Sequence, residues 1–282
     1  MNCTRLIPRL DIKGPNLVKG IHLEGLRVLG APEAFAKFYF ESGADELIFQ
    51  DVVASLYQRN SLTEIIARTA KDVFIPLTVG GGIRSLEDIN MALRAGADKV
   101  AINTAAIANP DLINKASKVF GSSTIVIAIE VAKNHRGEYE AYTDNGRETT
   151  NRDAVVWADE VASRGAGEIL LTSIDREGTG LGLDLELIEQ VTKAVDIPVV
   201  AHGGVGTRSH IEDAVTRAGA DAVAIASLLH YTAVKSPTFE GFEAQLEGNT
   251  EFLMKNRNSS KFKSMTIDRL KFDLKKSGLT IR

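Results

Sequence analysis

The alternation of apolar and polar positions divides the chain into short buried strands and amphipathic helices in regular succession. Residues 77–106 show the unit most clearly. Leu77 and Val79 form a short apolar run, stopped by Gly80, Gly81 and Gly82. Ile89, Leu93 and the alanines between them then fall at helical spacing, and Arg94-Ala-Gly-Ala-Asp98 closes the helix before a second apolar run that ends at Asn103-Thr104. Glycines after a strand allow close backbone approach and leave N–H groups free for an anion.

The unit occurs twice. Residues 197–230 repeat it, with Gly203-Gly204 in place of the first glycine run and Arg217 to Asp221 in place of the second. The offset is 122 residues from Gly81 to Gly203 and 123 from Arg94 to Arg217. Shorter echoes begin at Ser42 and Arg164, so a glycine-centred helix-to-strand turn recurs around the chain. Strand–helix units in two halves predict a closed (β/α)8 TIM barrel, an α/β fold built from two half-barrel repeats.

In chain order, strands are predicted at 6–12, 46–49, 124–129 and 168–172, besides the repeated pairs. Helices are predicted at 33–41, 152–164, 185–194 (Asp184 at its N-cap) and 266–278. The segment from Lys13 to Gly30 carries Lys19 and His22 and is too long for an ordinary connection, so it reads as a functional or disordered loop. Residues 138–143 and Asp144-Asn145-Gly146 read as a hairpin. Residues 231–263 read as an insertion before the last helix, with a helix in its 239–256 stretch. It is too small for its own core, so 1–282 is expected to be one domain.

Composition narrows the function. The 282 residues are 44% hydrophobic and 25% charged, with a net charge of −4, which gives no reason to expect nucleic acid or an anionic membrane surface. The lone Cys3 and the absence of a signal-like start point to a cytoplasmic setting. No apolar run reaches membrane-spanning length. No metal or cofactor is expected.

In barrels of this kind chemistry sits at the C-terminal strand ends. Those ends supply Asp11, Asp51, Asn103, Glu130, Asp175 and Glu177, plus both glycine pairs. Asp11 and Glu130 face each other across the mouth, an arrangement suited to general acid and base work. Helix capping is the alternative use for such acids. At the opposite end Arg5, Glu46, Lys99 and Glu168 begin four strands. Each alone reads as a solvated strand-entry residue, but four turned inward together must pair as a ring.

The motifs RLIPRLDIK, TVGGGIRS, RAGADKVAINTAA, GAGEILLTS and GGVGT, in that order, resemble the cyclase subunit of imidazole glycerol phosphate synthase, the HisF family. The resemblance runs over nearly the whole chain. It implies a partner, a HisH-like glutaminase of the class I amidotransferase type, docked on the barrel floor and sending ammonia through the barrel to a phosphorylated substrate. It also implies roles. Asp11 and Glu130 match the catalytic pair, and Lys19 the mobile-loop lysine. Gly81, Gly82, Asn103 and Thr104 match one phosphate site, and Gly203, Gly204, Ala226 and Ser227 the other; Asp175 and Glu177 belong to the same substrate-binding end. Arg5, Glu46, Lys99 and Glu168 match an ammonia gate, and Asp98 an acid of the partner interface.

Three positions depart from the family pattern: Glu130 stands for an aspartate, Glu177 for another, and His202 for a common serine. These departures, with RLDIKGPNLVKGIHLEGLR, DVVASLYQRN and DNGRETT, resemble a HisF paralogue group of surface-polysaccharide pathways. Amidation of a sugar, with a phosphorylated or nucleotide-sugar substrate, is therefore the expected function. The alternatives are the cyclase of histidine biosynthesis, a stand-alone sugar-phosphate isomerase, and a non-catalytic ammonia-channelling scaffold.

Overall fold

The computed structural model describes residues 3–54, 62–239, 262 and 264–282. In chain order it has β1 (Arg5–Lys13), β2 (Asn16–Ile21), β3 (Glu24–Gly30), α1 (Pro32–Glu41), β4 (Leu47–Asp51), α2 (Thr63–Thr69), β5 (Leu77–Gly80), α3 (Leu86–Ala95), β6 (Lys99–Ile102), α4 (Thr104–Ala108) and α5 (Asp111–Phe120). There follow β7 (Ile125–Lys133), β8 (Tyr139–Thr143), β9 (Glu148–Asp153), α6 (Ala154–Ser163), β10 (Glu168–Ser173), α7 (Leu185–Ala194), β11 (Val199–His202), α8 (Arg208–Thr216), β12 (Ala222–Ile225), α9 (Ser227–Lys235) and α10 (Ile267–Lys276).

Eight of these strands close on themselves. β1 pairs in parallel with β4, then β5, β6, β7, β10, β11 and β12 follow, and β12 returns to β1. This is a (β/α)8 TIM barrel. Side chains alternate along each strand, so each barrel strand feeds two layers. Leu6, Leu10 and Ile12 of β1 turn outward into the core shared with Phe35, Tyr39, Ile89, Trp157 and Val191 of the helices. Ile7 turns inward and joins Ile48, Ala101, Val126, Ala128, Leu170, Val200, Ala222 and Ala224 in a separate apolar cluster. Arg5, Arg9 and Asp11 share the inward parity of Ile7.

The half-barrel repeat extends to the backbone angles. Gly81 and Gly203 have φ of 96° and 105°, and Gly82 and Gly204 of 73° and 100°. The residues before α3 and α8, Ser85 and Thr207, lie at φ, ψ of −145°, 165° and −143°, 165°. Asn103 and Ala226, before α4 and α9, lie at −122°, −88° and −116°, −85°. Glycine is required at Gly81, where a Cβ would stand 2.3 Å from the Asp51 carbonyl oxygen. Asp98 and Asp221 do the same local work: each carboxylate accepts from the first N–H of the preceding barrel strand, Leu77 at 2.8 Å and Val199 at 3.0 Å. Asp45 accepts in a similar way from Leu6, the second residue of β1, at 2.8 Å.

The structure corrects several boundaries. The expected loop at 13–30 is the ordered hairpin β2–β3, whose first strand extends β1 antiparallel, Asp11 opposite Val18. Period-2 alternation there is hidden by Gly20 and Gly25. The predicted strand at 124–129 begins one residue later, after a 3-10 turn, and runs on to Lys133. Glu130 therefore lies inside a strand, at the point where β7, past its pairing with β6 and still parallel to β10, begins to pair with β8. Asp184 caps α7 as expected, accepting from the Leu187 N–H. Asp153 caps α6, accepting from the Val155 and Val156 N–H groups.

Helix α9 takes the first residues of the expected 231–263 insertion. Most of that segment, with the helix expected at 239–256, lies outside the described residues; Phe262 is buried and stacks on Tyr231 at 5.6 Å. Among the described residues no helix is long and apolar enough to cross a membrane.

The carboxylate of Asp98 is the acceptor for a strand N–H at the rim of the barrel. Replacing Asp98 by Ala should lower unfolding stability by about 1–2 kcal/mol, the cost of leaving that donor unpaired, as measured by urea denaturation; Asp98→Asn, which keeps an acceptor, should cost less.

Candidate active site

Two arginines of β1 organise the bore. At the floor Arg5 donates to Glu46 at 2.8 Å and to Glu168 at 2.5 Å. Lys99 completes the circuit, 3.1 Å from Glu46 and 3.0 Å from Glu168. Two cations and two anions thus alternate in a closed ring. Burial works against these charges, yet Glu168 and Glu46 hold Arg5 above its usual range, while Arg5 and Lys99 hold Glu46 below its own. Pairing on both sides is what lets such charges sit inside a barrel. Asp98, with its carboxylate on Leu77, lies exposed beside this end.

Above the apolar cluster lies Arg9, 1% exposed. Its Nε donates to Asp11 at 2.9 Å and its Nη1 to Thr172 Oγ1 at 3.0 Å. Thr172 belongs to β10, three strands round the barrel from β1, so this side chain crosses the bore. Burial would raise the Asp11 pKa, but Arg9 and Lys19 outweigh it and hold the carboxyl at about 2. Asp11 is therefore a permanent anion at neutral pH.

Glu130, four strands away, is the opposite case. Burial pushes its pKa up to about 7, and the attraction of Arg9 and hydrogen bonds from Asn103 and the Gly146 backbone only partly offset that. Asn103 Nδ2 holds one carboxylate oxygen at 3.1 Å and the Tyr142 carbonyl at 3.1 Å. The mouth thus holds one fixed carboxylate and one carboxyl that exchanges its proton near pH 7, a suitable division between electrostatic stabiliser and general acid–base.

The two glycine turns differ in what surrounds them. Gly81, Gly82, Asn103, Thr104 and Glu130 line a cavity of about 450 Å³. Three amide oxygens in its wall, of Gln50, Asn103 and Asn145, are buried without a partner, so the wall offers acceptors to a ligand N–H or O–H. Glycine N–H groups and the start of α4 at Thr104 offer donors to an anion. Around Gly203, Gly204, Ala226 and Ser227 only about 10 Å³ is open. There the segment at 178–182 packs on the turn: Gly182 N–H donates to the Gly204 carbonyl at 2.7 Å, and a Cβ on Gly204 would stand 2.2 Å from the Gly182 oxygen.

Glu177 holds that segment to the hairpin. Its carboxylate pairs with Lys19 and accepts from the Leu23 N–H at 3.1 Å, and its carbonyl accepts from the His22 N–H at 3.0 Å. Lys19 is buried, lies 3.7 Å from Asp11, and is held charged by Glu177 and Asp11 against the opposing effect of burial. Asp175 is not brought to either cavity. It is exposed and accepts from the Lys133 N–H at 3.0 Å, closing the end of β7.

Sequence reasoning passed over Arg9, Gln50, Thr172 and Asn145. The first three were within reach: each lies at the inward parity of a barrel strand, as Asp11 does from Arg9. Asn145 reaches the cavity wall only because the β8–β9 turn folds back over it, with φ of 58° at Asn145.

An eight-stranded barrel with opposed carboxyls and glycine cradles at one end, and an ion ring at the other, defines a (β/α)8 barrel with two worked faces. The profile of the family described as "Histidine biosynthesis protein" matches residues 5–235. The chain is 60% identical over 206 residues to the imidazole glycerol phosphate synthase subunit HisF of Legionella pneumophila, covering 73% of this chain and 97% of that protein. It is 50% identical over 226 residues to the subunit of the same name from Myxococcus xanthus, covering 80% and 89%. With that from Alkaliphilus metalliredigens it shares 46% over 233 residues, covering 83% and 92%. The chain belongs to the histidine biosynthesis protein family, in its HisF branch.

Glu130 links this site to stability. The unfolded carboxyl releases its proton near 4.5 and the folded one near 7. Between those values the unfolded chain binds fewer protons, so stability should fall as pH rises through the window and level off above it. Glu130→Gln should remove that part of the pH dependence, as measured by urea unfolding at pH 4.5 to 8.

Proposed function

We propose that this chain is the cyclase subunit of an imidazole glycerol phosphate synthase, using ammonia delivered by a partner glutaminase. The observation that carries the reading is the pairing, in one bore, of a closed ion ring at the floor with a carboxyl pair of unlike ionisation at the mouth. The relatives named above favour this reading over amidation of a surface-polysaccharide sugar. Under it Gly81, Gly82 and Thr104 bind one phosphate of the substrate, and Gly203, Gly204 and Ser227 take a second once the hairpin lifts. Lys19, freed from Glu177 by that movement, adds its charge to the bound anion. Asp11 stabilises positive charge that develops as ammonia adds, and Glu130 moves the protons that ring closure requires. The exposed Cys3 agrees with a reducing cytoplasm.

A second reading keeps one observation in its favour. Glu130 and Glu177 are longer acids than the resemblance calls for, and a lengthened carboxyl in a fixed site suits a different acceptor, such as the acyl group of a sugar.

A cyclase assay of the purified barrel with ammonium chloride, without glutaminase, separates the two. The cyclase reading expects product formation that Glu130→Gln reduces by on the order of 10²–10⁴-fold. No product from the unaltered protein or from Glu130→Asp would reject it and leave the sugar reading.

At the floor, the reading expects the glutaminase to bind over Asp98 and the ring. Lys99→Ala should open the ring and lower the product formed per glutamine hydrolysed when the two subunits are assayed together. Unchanged stoichiometry would count against the ring as a gate for ammonia.

A further inference from the structure

The first cavity concentrates acceptors that nothing in the fold satisfies. Nine buried polar side-chain atoms lack a partner among the described residues. Three of them, the amide oxygens of Gln50, Asn103 and Asn145, line this one cavity of about 450 Å³. The matching amide nitrogens of the two asparagines are already spent. Asn103 Nδ2 donates to Glu130 and to the Tyr142 carbonyl, each at 3.1 Å, and Asn145 Nδ2 to the Leu23 carbonyl at 3.4 Å. Those bonds fix which end of each amide faces the cavity. A buried acceptor without a donor costs stability until a ligand supplies one.

Gln50 is set apart by how it is held. Asn103 and Asn145 are anchored by hydrogen bonds, whereas Gln50 Oε1 is placed by packing alone. It fills the notch left by the absent side chain of Gly80, where a Cβ would stand 2.2 Å from Oε1 and 3.1 Å from Cδ. In the β1–β4 pairing Gln50 is opposite Asp11, and in the β4–β5 pairing it is opposite Gly80, just before the glycine turn. Ile48, two residues earlier, faces the bore, so Gln50 shares its inward parity. A ligand that reaches from the Gly81–Gly82 turn toward Asp11 therefore passes Gln50. The three oxygens come from β4, the β6–α4 junction and the β8–β9 turn, so their donors must point in different directions. Adjacent hydroxyls on a flexible chain do this. The N–H groups of a planar amide share one plane.

We propose that Gln50 is a specificity-determining residue, accepting from a hydroxyl of the substrate chain between the anion held at Gly81–Gly82 and Asp11. The first cavity thereby selects a phosphate ester that bears hydroxyls over one that lacks them. The proposal deepens the cyclase reading and rests on it for the phosphorylated substrate. Its physical basis is the penalty of leaving a buried acceptor unpaired, which a ligand without the donor does not relieve. Leucine at this position would fill similar space and accept nothing.

Glycerol 3-phosphate and n-propyl phosphate carry the same phosphate on a three-carbon chain and differ in two hydroxyls. Titration of the intact ¹⁵N-labelled protein, followed at the N–H groups of Gly81 and Gly82, gives a dissociation constant for each in the first cavity. The unaltered protein should bind glycerol 3-phosphate more tightly. Gln50→Leu, or Gln50→Met if the leucine variant does not fold, should narrow the ratio about tenfold, the worth of one hydrogen bond. Gln50→Glu keeps the acceptor and weakens both esters alike through its charge, so it should retain the ratio. Equal affinity of the unaltered protein for the two esters, or binding of neither, overturns the proposal. So does a ratio unchanged in Gln50→Leu, or one that falls equally in Gln50→Glu, which would mark a packing effect. Ammonium-driven turnover without any preference between the esters overturns the role of Gln50 and leaves the cyclase reading intact. Absence of turnover, with the preference present and lost in Gln50→Leu, overturns the cyclase reading and leaves Gln50 its role.

Discussion

Closure of the barrel turns every second residue of β1 from Arg5 to Asp11 into a bore largely shielded from bulk water. Three of the four residues placed there, Arg5, Arg9 and Asp11, are charged, and a buried charge persists only where a partner reaches it. The interior is organised to meet that demand. Arg5 closes a ring with Glu46, Lys99 and Glu168, Ile7 joins an apolar collar, and Arg9 ties Asp11 to Thr172 across the bore. Floor, collar and mouth are thus successive layers of one requirement, each set by which strands face β1 and at what height.

The two half-barrels show how one backbone can serve unlike tasks. Their glycine turns, helix entries and aspartate-to-strand contacts match closely in conformation. Their surroundings differ: the first turn opens on a cavity, while the second is covered by the segment at 178–182 and the β2–β3 hairpin. The covering depends on Glu177. A carboxylate on a longer arm reaches both Lys19 and the Leu23 N–H, so the hairpin, the covering segment and Asp11 form one electrostatic unit.

Ionisation divides the mouth in the same way. Asp11 and Glu130 are both carboxyls and both buried, yet one is held near 2 and the other near 7. The difference is distance from the cations: Arg9 and Lys19 lie against Asp11, whereas Arg9 acts on Glu130 only through space, leaving burial to dominate there.

The periodicity of the chain by itself determined the fold. A doubled strand–helix unit with glycine at matching points has few ways to bury both faces of its strands, and a closed barrel is the one that repeats. Carboxyls at strand ends, the glycine cradles and four charges at strand starts were likewise legible, because strand parity and strand direction alone say which end of a barrel a residue occupies. What only the tertiary structure decided is which of these residues meet. Lys19 with Glu177, 158 positions apart, and Arg9 with Thr172, 163 apart, are joined by closure and by a hairpin whose glycines hide its alternation. Asp175 turns outward although its neighbour Glu177 turns in, since both lie past the end of β10 at Ser173, where parity no longer holds. The open first cradle and the covered second one come from packing between loops, where no repeating pattern relates sequence position to direction.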